Sequence, residues 1–131
     1  MKHKLLIFLI ILLSVIAIFL TKGVASAEAP ITPPKAWNKQ EVKNLIHDYA
    51  KQYKVSEHVM NTVISCESQY NKETLGDHGR SFGLVQIDMD FWSKEITPEM
   101  AKNPDFAVNF LAEKLSKGEG HLWTCYRKNF K

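Results

Sequence analysis

Hydrophobic and polar positions change their rhythm several times along this chain, and each change predicts an element. Residues 5–20 form an apolar run interrupted only by Ser14, preceded by Lys2 and Lys4 and followed by the small residues Ala25-Ser26-Ala27. Sixteen helical residues reach roughly 24 Å, short of a hydrocarbon core of about 30 Å. Charge, apolar length and small-residue site together read as a secretory signal peptide over residues 1–27. A retained N-terminal membrane anchor is the alternative, and under either reading the rest of the chain is exported. Residues 28–37 hold Pro30, Pro33 and Pro34 and read as an extended linker, because proline lacks a donor and biases its predecessor away from helix.

From residue 38 the period becomes helical. Asn38-Lys39-Gln40-Glu41 has the form of a capping box. Behind it Val42, Leu45, Ile46, Tyr49 and Tyr53 recur along one face of a helix of about 15 residues. Ser56 caps a second helix, with Val59, Met60, Val63 and Ile64 on one face and an end near Gln69. Residues 70–80, with Asn71, Gly76, Asp77 and Gly79, read as loop. Residues 81–88 read as an irregular hairpin. Thr97-Pro98 opens a short helix and Asn103-Pro104 a longer one, with Phe106, Ala107, Phe110, Leu111 and Leu115 inward and Gly118 as its stop. The expected domain, residues 38–131, is mainly α with a minor β element.

Charge narrows the function. The chain has 17 Lys and Arg against 14 Asp and Glu, and three of the cations (Lys2, Lys4, Lys22) lie in the leader. The remainder is therefore balanced and has no surplus to neutralise phosphates, which argues against nucleic acid as a partner. Cys66 and Cys125 both fall in the exported part, where an even pair reads as a disulfide. A catalytic thiol is the alternative. His47, His58, His78 and His121 lack paired ligand spacing, so no metal site is expected.

Glu67 breaks the pattern of its helix. At 100° per residue it lies about 20° from Met60 and about 40° from Val63, on the apolar stripe. Burial disfavours a charged carboxylate, so its pKa should rise and its proton persist nearer neutrality. Such a group can protonate the departing oxygen of a glycosidic bond. A helix that frays before residue 67 would instead turn it to solvent.

Glu67-Ser68-Gln69-Tyr70-Asn71, followed by Gly76-Asp77-His78-Gly79-Arg80-Ser81-Phe82-Gly83-Leu84-Val85-Gln86-Ile87-Asp88, resembles the lysozyme-like family of soluble lytic transglycosylases and goose-type lysozymes. That pattern has an E-S pair at a helix end, a glycine-rich turn, and then G-L-x-Q. The resemblance implies a lysozyme-like α+β fold with a small β element beside a substrate cleft. It implies cleavage of the β-1,4 bond between N-acetylmuramic acid and N-acetylglucosamine in peptidoglycan glycan strands. It makes Glu67 the catalytic acid and Ser81, Gly83 and Gln86 the lining of a sugar groove. No cofactor is implied, and a monomer is expected.

Two chemical outcomes share that acid. An inverting hydrolase adds a second carboxylate to activate water. Asp77 and Asp88 are the candidates, although Gly-Asp-x-Gly is also ordinary turn chemistry. A lytic transglycosylase uses one carboxyl and the sugar's own C6 hydroxyl, leaving a 1,6-anhydro end. Trp123 and Tyr126 are candidates for an aromatic wall, with core packing as the alternative. Here Trp123-Thr124-Cys125-Tyr126 departs from the alanine-rich setting of the family's late tyrosine. Phe91 and Trp92 could stack on sugar rings, but their setting suggests core. A Cys66–Cys125 bond would clamp the last segment onto the catalytic helix. The rival from another class is an exported glycan-binding or cell-envelope structural module without catalysis.

Overall fold

The computed structural model describes residues 37–130. The expected leader, and all of the linker except Trp37, lie outside the described residues. The chain divides into two units at residue 36, two positions before the expected start of the domain. Among the described residues there are six α-helices and one small sheet, a mainly helical α+β fold. No helix among them is long and apolar enough to cross a membrane.

Local chemistry sets the first two helices. The Asn38 side chain accepts from the Glu41 N–H at 3.0 Å, and Glu41 Oε2 accepts from the Asn38 N–H at 2.9 Å. This reciprocal cap opens α1, Lys39–Tyr53, which buries Val42, Ile46 and Ala50. Ser56 caps α2, Glu57–Ser68, whose Met60, Val63 and Ile64 are fully buried. Helix α2 persists through Ser68, so it does not fray before Glu67. Gln69 and Tyr70, both with left-handed φ (53° and 66°), then turn the chain out of the helix.

The sheet is an antiparallel meander of two-residue strands: β1 Leu75–Gly76, β2 Ser81–Phe82 and β3 Ile87–Asp88. Strand β1 lies where only loop was expected. Strands this short carry no readable alternation, and β1 exists because Leu75 and Gly76 find Phe82 and Ser81 opposite them. The β2–β3 hairpin pairs Ser81 with Asp88 and Phe82 with Ile87, and its turn buries Leu84 and Val85 completely. Asp88 then caps a short α3, Met89–Trp92. Thr97 and Asn103 cap α4, Pro98–Lys102, and α5, Pro104–Ser116, each with proline in its first turn.

A 3₁₀ turn at Gly120–Leu122 and α6, Thr124–Asn129, complete the described chain. Helix α1 packs on α5 and α2, and α2 packs on α6. Tyr49 and Tyr53 donate from α1 to Asp105 and Asn109 of α5, at 3.0 and 2.8 Å. Trp123 is buried, and its indole N–H donates to the Val85 carbonyl at 2.7 Å, tying the last segment to the hairpin turn.

Candidate active site

Glu67 occupies the last turn of α2 and is half-buried. Its Oε1 accepts from the main-chain N–H of Cys125 at 3.2 Å. Cys66 is bonded to Cys125, so the α6 segment that supplies this donor is covalently attached beside the acid. Burial, the largest influence, pushes the Glu67 pKa above its ordinary value. The Cys125 N–H opposes that rise, the negative charge of Asp77 adds to it, and Lys128 and Arg127 oppose it. The net effect is a carboxyl that keeps its proton to higher pH than a solvated glutamate.

Asp77 stands in the β1–β2 turn with a left-handed φ of 49°. Its Oδ2 accepts from Ser81 Oγ at 2.6 Å, and its main-chain carbonyl accepts from Arg80 Nε at 3.1 Å. Of the two candidate second carboxylates, Asp77 is the one whose charge acts on Glu67. Asp88 instead caps α3, its Oδ1 accepting from the Asp90 N–H at 2.9 Å.

Several expected groove residues do other work. Ser81 is 1% exposed and reaches Asp77, so it holds a carboxylate in place and cannot line an open groove. Gly83 is needed for a close approach, but of protein: a Cβ there would stand 2.2 Å from the Ala101 carbonyl oxygen, and its φ is +78°. The Gln86 side-chain amide donates to the carbonyls of Thr74 and Gly83, at 3.1 and 2.9 Å. Its oxygen lies where a Cβ on Gly76 would be, so this glutamine knits β1 to the hairpin. Tyr126 packs its ring over Gly120, 5.5 Å from the Phe130 ring. It serves packing, the alternative already open for it.

A hollow of about 310 Å³ lies between the hairpin, α3, α5 and the last segment. Trp92, Phe110 and Trp123 form a continuous aromatic floor, with edge-to-face contacts at 5.1 and 6.2 Å. Gln86, Asp88 and Arg127 are the polar and charged side chains of its lining. Phe91 and Leu122 stand on its rim, 83% and 44% exposed. The exposure of Phe91 corrects the expectation of core: on a helix, neighbours such as Phe91 and Trp92 point about 100° apart, and Trp92 takes the inward place. Leu122 and Arg127 had no place in the sequence-based site, since a lone leucine and a lone arginine give no local signal.

Glu67 is not part of this lining; Arg127, which is, acts on its charge. Cys66 borders a separate, shallow and open depression with Asn61, Thr62, Ser65, Tyr70 and Asn129. Among the described residues no group of three or more His, Cys, Asp or Glu side chains could hold a metal ion. No protein-family model matches the chain, and no curated protein matches it.

Proposed function

We propose that the chain is a peptidoglycan-cleaving glycosidase of lysozyme-like type, acting on exported glycan strands with Glu67 as general acid. The observation that carries this reading is the setting of Glu67: half-buried, raised in pKa by that burial, and held through one oxygen by the Cys125 N–H. With Oε1 so occupied, Oε2 is the oxygen that delivers the proton to the departing glycosidic oxygen. After bond cleavage the same carboxylate is a base. In the hydrolytic outcome Asp77 is the partner. Ser81 holds its Oδ2, which leaves Oδ1 to take a proton from the attacking water. In the transglycosylase outcome the C6 hydroxyl gives its proton to Glu67 and closes the 1,6-anhydro ring.

Incubation of purified sacculi with the wild type and with Glu67→Gln tests the reading. Glutamine keeps the shape and the acceptor for Cys125 but has no proton to give. Lysis should fall by about 10²-fold or more, the usual contribution of a positioned acid. Equal lysis by both proteins would overturn the reading, and sacculus binding with no lysis by the wild type would favour a glycan-binding module. The mass of the released muropeptides separates the outcomes, since the anhydro product is lighter by one water.

A further inference from the structure

We infer that the hollow floored by Trp92, Phe110 and Trp123 binds a saccharide ring bearing a carboxylate, with Phe91 as the stacking face and Arg127 as the carboxylate receptor. The ring's identity as a sugar rests on the glycosidase reading; the rest is carried by the hollow itself. Three large apolar side chains are exposed among the described residues (Leu75, Phe91 and Leu122), and two of them stand on this one rim. At about 310 Å³ the hollow is at the small end of ligand sites, which run from roughly 300 to 1,000 Å³, so it suits one ring and its substituent.

Charge identifies the substituent. The Arg127 guanidinium is held by two neutral oxygens, the His121 carbonyl and, at 2.7 Å, Thr124 Oγ1. Both contacts come from its own segment and fix the fork without neutralising it. A guanidinium has five N–H donors, so donors remain for a ligand, and a carboxylate matches them in geometry and charge. Asp88, also in the lining, repels an anion, so Arg127 is the lining group that receives the carboxylate. The floor cannot shift freely to suit other ligands, because Trp123 is tied to Val85 and Phe110 packs against both tryptophans. In a muramic-acid strand the carboxylate has two sources: the free lactyl group of a peptide-free sugar, or the stem peptide attached to it.

Calorimetric titration in the Glu67→Gln background, where nothing is cleaved, tests this with four ligands. They are a peptide-free muramic-acid disaccharide, its lactyl methyl ester, a peptide-bearing muropeptide and an N-acetylglucosamine oligomer. The disaccharide should bind about tenfold or more tightly than its ester or the neutral oligomer, as loss of a charge-assisted contact predicts. Tight binding of the muropeptide as well assigns the peptide carboxylate as a second source; weak binding restricts the site to the lactyl group. Arg127→Gln should erase the preference, and Phe91→Ala should weaken every ligand by a similar factor. Equal affinity for the disaccharide and its ester overturns the proposal without reliance on any Arg127 or Phe91 variant. Preserved charge preference in a wild type that lyses no sacculi would sink the cleavage reading alone.

Discussion

The main-chain N–H of Cys125 reaches Oε1 of Glu67 across 58 positions of sequence, and the disulfide from the preceding residue, Cys66, keeps it there. A helix-end carboxylate thereby gains a fixed donor, a neighbouring helix and shelter from solvent at once. Cys66→Ala with Cys125→Ala removes a cross-link between residues 59 apart, worth about 4 kcal/mol in the chain-entropy description. Urea unfolding should show that loss, and lysis per folded molecule should fall with it. Unchanged lysis would mean that the contact survives without its tether.

Glu67 also links folding to pH. Its folded pKa lies above the unfolded value, so between the two the native state holds more proton and stability declines as pH rises. The ionised form is then penalised throughout neutral pH. Glu67→Gln should therefore be more stable than wild type at pH 7, with the gap closing below about pH 4, where both native and unfolded glutamates are protonated. Thermal melts across that range check the sign. Lysis by wild type should decline as pH rises through the same raised pKa.

Ser81 and Asp77 act as one unit. Removing the Ser81 hydroxyl leaves Asp77 without its 2.6 Å donor, a loss of about 1.5–3 kcal/mol for a hydrogen bond to a charged group. If Asp77 works on water, Ser81→Ala and Asp77→Asn should each reduce lysis, and the double variant should lose little more than Asp77→Asn alone. Additive losses would assign Ser81 a task separate from Asp77.

Gly83 should prove structural. Alanine there meets both a left-handed φ and the Ala101 carbonyl, and strain and overpacking together should cost about 2 kcal/mol or more. The unfolding midpoint of Gly83→Ala should fall, while ligand affinity of the folded fraction stays at the wild-type level. Selective loss of binding at unchanged stability would return Gly83 to the groove.

What is legible in the sequence is local. Asn38 with Glu41, Ser56, Thr97-Pro98 and Asn103-Pro104 announce four helix starts, because caps act within three residues of themselves. Glu67 stands out because its place on the wheel conflicts with its charge. The rest depends on partners far away in sequence. Strand β1 needs β2, and α6 is positioned by Cys66 and Val85. Ser81, Gly83 and Gln86 are visibly unusual in the sequence, yet Ser81 and Gly83 meet protein where sugar was expected, and Gln86 binds main-chain carbonyls while also lining the hollow. Motif spacing reveals that a residue is constrained, whereas the partners that impose the constraint, Asp77, Ala101 and Thr74, come together only in the fold.

The amide that seats Glu67 is synthesised more than fifty residues after it. A nascent polypeptide extruded only through α5 therefore lacks that donor, and full-length chain with both thiols still reduced lacks the covalent hold on Cys125. The seating of Glu67 is thus a late event in synthesis, completed only once α6 has been made.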